Sequence, residues 1–219
     1  MILHKLPVIL ISGVLLALSS GVLLANEAKS GYEFIKPATR AMQDDDFENP
    51  GMLMLEQGQE LFNEEQNGIS KACSDCHGQN GLEMDTKSIA RYPVYDASNG
   101  GIVTLQQSIS NCRDNIGRKP LPANHTELIA LETFVRNKAA GEAVNVQTDG
   151  PMAELLNKGQ NLYQTRFGLI DMSCSHCHDL YPGQMIRGQK ISQARATASR
   201  PTGWTSVRLQ TCINAYSSA

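Results

Sequence analysis

A large excess of charge of one sign is absent from this 219-residue chain: 19 Lys and Arg stand against 22 Asp and Glu, for a formal net charge of -3. With a pI near 5.9 there is no global basic field to recruit nucleic acid or an anionic membrane surface, and nucleic-acid binding drops out. Charged residues are only 19% and apolar residues 41% of the chain, values that exclude a disordered or membrane-embedded protein and allow one or two soluble domains. The long apolar stretch lies at the N-terminus, where Lys5 precedes the run from Leu6 to Ala25. That is the pattern of a secretory signal over residues 1–25, cleaved after Ala25 although Leu23 is larger than the small-x-small rule prefers. An uncleaved helix is the alternative, because about twenty apolar residues just span a bilayer. Both readings place the rest of the chain outside the cytoplasm, and cleavage would release it into the periplasm without a membrane anchor.

Six cysteines in an exported chain ordinarily suggest three disulfides, but their arrangement argues otherwise. Four form Cys73-Ser74-Asp75-Cys76-His77 and Cys174-Ser175-His176-Cys177-His178, and Cys112 and Cys212 stand alone. Sliding the sequence against itself by 101 positions lays Gly58-Gln59 on Gly159-Gln160, Leu61 on Leu162, Phe62 on Tyr163 and the first motif on the second. The lone cysteines follow their motif histidines by 35 and 34 residues. The halves therefore read as an internal duplication.

Cys-x-x-Cys-His is the attachment signature of c-type haem: two thiols add to the haem vinyl groups and the adjacent histidine ligates the iron. Two copies predict two covalently bound haems, held by Cys73, Cys76, Cys174 and Cys177, with His77 and His178 as proximal iron ligands. A zinc site from the paired motifs is the alternative, but the pairs are far apart and each repeats its histidine. His176, between the cysteines of the second motif, reads as an ordinary exposed residue.

A suitably placed methionine, the usual sixth ligand of an electron-carrying cytochrome c, is the next absence. No methionine occurs between Met84 and Met152 or after Met185, and Met84 and Met185 each lie only seven residues past a motif histidine. So short a loop would be strained in reaching the opposite haem face. Cys112 and Cys212 occupy the matched place in both halves, and iron would hold either as a thiolate, favouring ferric iron and lowering the potential. The alternatives are buried small residues or one disulfide between them. His125 competes as a ligand in the first half only and sits at a predicted helix start. Arg208 lies one helical turn before Cys212, where the first half has Ser108. An arginine beside a haem-bound sulfur suits an oxyanion and assigns chemistry to the second haem; a surface arginine is the alternative. Arg187, Arg195 and Arg200 are weaker candidates in the same acid-poor stretch.

Apolar periodicity predicts helices over Met54–Glu64, Thr104–Asn115, Thr126–Lys138 and Leu155–Gln164, the third capped by Asn124 or Thr126. The glycines of the Gly-Gln pairs are expected to admit a neighbouring helix closely. The predicted fold is all-α: two tandem cytochrome c-like domains at 51–140 and 152–219, joined by a breaker-rich linker at 141–151 and preceded by an acidic lead-in at 26–50. Asp44-Asp45-Asp46 in that lead-in is read as a solvated surface segment, with docking of a partner as the alternative. Counterparts of Arg118 to Lys138 have no place after Cys212, so the second domain is expected to be incomplete and less well packed.

Taken with the duplicated motifs and the Ser110-Asn111-Cys112 segment, Arg208-Leu209-Gln210-Thr211-Cys212 makes the sequence resemble the SoxA family, the dihaem subunits of SoxAX cytochromes. The resemblance covers nearly all of residues 50–216. It implies His/Cys ligation of both haems, with Cys212 as the active-site residue, found in that family also as a persulfide, and Arg208 beside it. It further implies an L-cysteine S-thiosulfotransferase that couples thiosulfate oxidatively to a cysteine of a SoxYZ carrier, passing electrons to a SoxX subunit and a small cytochrome c. The family continues past the active cysteine with a second arginine and a closing helix, for which residues 215–219 leave no room; catalysis by this chain is the expectation this departure puts in doubt. The rival expectations are a dihaem electron carrier without sulfur chemistry and a thiosulfate dehydrogenase forming tetrathionate.

Overall fold

The computed structural model describes residues 28–65, 71–98 and 100–195. The N-terminal apolar segment, Arg200, Arg208 and Cys212 lie outside the described residues. A 3-10 turn at Gly31–Phe34 leads into α1 (Pro37–Asp44), α2 (Gly51–Asn63) and the one-turn α3 (Ser74–His77). A second 3-10 turn at Gln79–Gly81, α4 (Thr86–Ile89) and the hairpin of β1 (Val94–Asp96) and β2 (Gly101–Val103) precede α5 (Leu105–Asn115) and α6 (Thr126–Lys138). Then come α7 (Pro151–Gln164), the short α8 (Cys174–His178) and the small hairpin of β3 (Met185–Ile186) and β4 (Gln189–Lys190). Both strand pairs are antiparallel, Tyr95 facing Ile102 in the first and Ile186 facing Gln189 in the second. The described chain is thus predominantly helical, and the predicted helices form within a few residues of their expected bounds. The two hairpins were not expected, because runs of two or three residues are too short for an alternation to register.

Local chemistry fixes the helix ends. Thr104 caps α5 through a reciprocal capping box with Gln107, the hydroxyl accepting the Gln107 N–H at 3.2 Å while Gln107 Oε1 accepts the Thr104 N–H at 2.8 Å. The cap of α6 corrects the expectation of Asn124 or Thr126. Asn124 takes a left-handed φ of 66°, which leaves His125 as the extended residue before the helix, and its Nδ1 accepts the Glu127 N–H at 3.3 Å. His125 is thereby occupied as a helix cap.

The core lies where α2, α5 and α6 meet around buried Phe62, Ile89, Leu105, Leu131, Phe134 and Val135. Gly58 makes the α2–α6 crossing possible. A Cβ on it would stand 2.1 Å from the Ala130 carbonyl oxygen and 2.8 Å from the Phe134 Cβ, so only glycine lets the backbones approach this closely. The expected packing role holds at Gly58 and not at its repeat partner: a Cβ on Gly159 meets nothing within 4 Å. On α7 only Met152 is buried, while Leu156 and Leu162 are exposed.

The lead-in is folded onto its surroundings. Tyr32 donates to Asp44 at 2.5 Å beneath the Arg40 guanidinium, and Asp45 accepts the Phe47 N–H at 2.8 Å. The Lys29 N–H reaches the Gln193 side chain at 2.8 Å, beyond the second motif. The breaker-rich linker has no helix or strand over residues 142–149, yet it is pinned to the first helical unit. Thr86 donates to Glu142 at 2.8 Å and the Asn145 N–H to the Ala90 carbonyl at 3.0 Å.

These two glycines predict opposite responses. Gly58→Ala must push α2 off α6 and is expected to cost about 2 kcal/mol, whereas Gly159→Ala is expected to gain up to about 1 kcal/mol from helix propensity alone. Thermal denaturation of the two purified variants checks this; equal shifts would contradict the packing assigned to Gly58.

Candidate haem sites

The first motif is a single helical turn held at both ends. Asp75 Oδ2 accepts the Ala72 N–H at 3.0 Å, fixing the entry to α3. After His77 the chain reverses through left-handed residues Gly78, Asn80 and Gly81, with φ of 72°, 54° and 68°. Asn80 ties this loop to α2: its Oδ1 accepts from Gln59 Nε2 at 3.1 Å and Asn63 Nδ2 at 2.7 Å, and its own N–H donates to Asn63 Oδ1 at 3.0 Å. Sequence reading passed over Asn80. The signal was the Asn80-Gly81 dipeptide directly after the motif, a left-handed turn cue.

Core packing aims the histidine. The Phe62 ring stands 6.2 Å from the His77 ring and 5.1 Å from Phe134, so the side chain that fills the α2–α6 crossing also bounds the imidazole. Met84 packs half-buried against the same core cluster, with its sulfur beside Gly81.

α5 brings Cys112 to this motif. Cys112 is half-buried and near enough to both motif cysteines for the sulfur charges to act on one another. Burial pushes its thiol above the ordinary range and Cys76 adds to the rise. The Cys73 thiol is raised too, chiefly by burial, against the opposing pull of the Arg118 guanidinium. Cys73, Cys76, Cys112, Cys174 and Cys177 are free thiols. Sequence reasoning did not single out Arg118. It is buried at 2% exposure, and its Nε and one terminal nitrogen have no hydrogen-bond partner.

The second motif is built differently. Ser173 and His176 form a capping box at the start of α8, His176 Nδ1 lying 2.6 Å from the Ser173 hydroxyl and 3.2 Å from its N–H. His176 is thus a half-buried structural residue, which corrects its reading as an ordinary exposed one. His178 Nδ1 stands 2.8 Å from the Ser192 carbonyl oxygen. Since a carbonyl only accepts, this contact places the proton on Nδ1 and leaves the Nε2 lone pair for a metal, as ligating histidines are commonly held. Tyr163 on α7 donates to Asp179 at 2.7 Å just after the motif, and burial with that carboxylate pushes the phenol up to about 12. Arg187 and Arg195 fall within the described residues; Arg195 acts on Tyr163 as a nearby cation.

These residues fit a c-type haem. The first motif combines unpaired thiols on one turn, an adjacent histidine against an apolar wall and a buried guanidinium with two unused nitrogens near Cys73. The second presents its histidine with Nδ1 already occupied. A helical core carrying such a turn defines a c-type cytochrome domain. The description "SoxA/TsdA, cytochrome c domain" matches residues 57–144. L-cysteine S-thiosulfotransferase subunit SoxA of Rhodovulum sulfidophilum is 33% identical over 186 residues, 84% of this chain and 63% of that protein. Its counterpart from Pseudaminobacter salicylatoxidans is 31% identical over 173 residues, 78% of this chain and 60% of that protein. The crystal structure of SoxXA from P. pantotrophus superposes with a TM-score of 0.65 at 28% identity, over 77% of this chain and 63% of that one. Residues 57–144 thus match the SoxA/TsdA cytochrome c domain, and the chain spans about three fifths of the length of these relatives. Among the described residues no helix is long and apolar enough to cross a membrane.

Asn80→Ala removes the side-chain acceptor of two hydrogen bonds and puts a Cβ-bearing residue without compensation at φ 54°, so it is expected to cost about 2 kcal/mol. Asn80→Gly keeps the conformation and should cost roughly half as much. Denaturant titration of the haem-loaded variants checks the order; a Gly variant worse than the Ala variant would contradict the backbone part of the account.

Proposed function

We propose that this chain is a dihaem c-type cytochrome subunit, built from tandem cytochrome c-like domains, that couples thiosulfate oxidatively to a cysteine thiol of a SoxYZ-like carrier protein. The observation that carries the reading is the duplicated Cys-x-x-Cys-His motif with one cysteine following each copy at nearly the same interval, in a chain similar to L-cysteine S-thiosulfotransferase subunits. The proximity of Cys112 to Cys73 and Cys76 supports its role as the residue that would hold the iron of the first haem together with His77. Cys212 would hold the iron of the second haem together with His178, with Arg208 as the cation that holds the thiosulfate oxyanion. Secretion to the periplasm through the signal at residues 1–25, a SoxX-like partner and a small cytochrome c acceptor complete the proposal.

In the net reaction the terminal sulfur of thiosulfate and the carrier cysteine sulfur form a bond, the thiol proton passes to solvent and two electrons leave. The haems supply one-electron acceptors for that oxidation. The protein's own residues do the rest. Removal of two electrons would join the Cys212 thiolate sulfur to the terminal sulfur of thiosulfate, and the carrier thiol, losing its proton to solvent, would then attack that terminal sulfur, taking the S–SO3 group and releasing the Cys212 thiolate. Arg208 holds the sulfonate end, with a planar guanidinium suited to two oxygens. Bound as thiolates, Cys112 and Cys212 would favour ferric iron and so lower the potentials.

Cys212→Met is expected to retain haem on Cys174 and Cys177 and to abolish carrier-dependent turnover, measured as cytochrome c reduction with thiosulfate and carrier. Unchanged turnover would remove the catalytic role of Cys212, and turnover without the carrier would favour tetrathionate formation. Cys112→Met is expected to raise the potential of one haem. In the unmodified oxidised chain, low-temperature electron paramagnetic resonance should show two low-spin ferric signals of thiolate type. If neither signal is of that type, a plain electron carrier becomes the better account.

A further inference from the structure

Arg118 is delivered to the interior by the end of α5. Gly117 takes a φ of 79°, its N–H donating to Asp114 O at 3.0 Å, and the Arg118 N–H donates to Arg113 O at 2.8 Å. That pair of bonds is the Schellman closure of a helix, and it turns the residue after the glycine back toward the core. The helix that carries Cys112 thus ends by burying a guanidinium near Cys73. One terminal nitrogen donates to the Glu64 carbonyl, where α2 ends. Its Nε and other terminal nitrogen have no partner.

A guanidinium keeps its charge in proteins, so this position holds a cation. A buried cation without a counter-charge is strongly unfavourable. Its neighbour Arg113, equally buried, is near the Glu127 carboxylate at 3.9 Å, and Arg136 has Glu132 at 2.8 Å. Among the described residues Arg118 has no carboxylate within ion-pair range. The anion it lacks matches what a haem on Cys73 and Cys76 would carry, namely two propionates, and the unpartnered N–H groups of the guanidinium can donate to carboxylate oxygen.

Resting on the reading that the first motif binds haem, we propose that Arg118 is a positioning residue that anchors a propionate of the first haem. Its charge would offset the negative charges of the Cys112 thiolate and of the propionate. Arg118→Gln can still donate to the Glu64 carbonyl but lacks the charge, while Arg118→Lys keeps it. Potentiometric titration is expected to show the potential of the first haem, identified by its response to Cys112→Met, shifted down in Arg118→Gln and close to the parent in Arg118→Lys.

A parent-like potential in Arg118→Gln, with full haem content, would overturn the proposal. Should the glutamine variant fail to mature, redox-difference infrared spectroscopy of the parent chain replaces it, with the haem 13C-labelled at its propionate carboxyls. A label-sensitive carboxylate band of the ion-paired type supports the anchor, and protonated or free-carboxylate bands alone overturn it. Mass analysis of the Cys73–Cys76 peptide reads separately whether haem is attached there at all; its absence would sink the haem reading before Arg118 is tested.

Discussion

The close crossing of α2 and α6 at Gly58 is the constraint on which the first site depends. With the Gly58 backbone against the Ala130 carbonyl, Phe62 and Phe134 meet in the core, and the Phe62 ring in turn bounds His77. A methyl group at one position would therefore be felt at an imidazole fifteen to twenty residues along the chain. The loop after the motif depends on the same helix, because Gln59 and Asn63 of α2 hold Asn80. Close packing transmits position here, since an interior without voids leaves side chains no other place to go.

The region of the second motif relies on a different kind of order. Its residues are largely exposed, and the organising contacts are polar: Ser173 with His176, Tyr163 with Asp179, and His178 with the Ser192 carbonyl. Hydrogen bonds of this sort fix orientation without burying much apolar area, and each contributes only about 1 kcal/mol net. Equivalent sequence motifs in one chain thus sit in unlike surroundings, the first bounded by aromatic rings and buried arginines and the second by hydrogen bonds. Burial is the largest cause of the raised pKa at Cys73, Cys112 and Tyr163 alike, joined at Tyr163 by the hydrogen bond to the Asp179 carboxylate.

Much of this was legible in the residues. The attachment motifs are contiguous, so their chemistry needs no tertiary information, and the helices around them carry enough apolar periodicity to be placed. Thr104 with Gln107 marked the start of α5 in the same direct way. The cap of α6 was misread by one residue because Asn124, a good cap by type, is diverted into a left-handed turn and passes the role to His125. His176 escaped because a histidine at the third position of a capping box is an unusual stand-in for Glu or Gln.

The sequence by itself determined which atoms are available for haem attachment and that each motif is followed by a lone cysteine, because residue type and spacing are properties of the chain alone. Only the tertiary structure decided that Cys112 comes to the first motif, that Gly58 is a contact and Gly159 is not, and that Arg118 is buried near Cys73. Those relations depend on how helices far apart in sequence cross and end. Burial and the partners left unmade become visible only once they have.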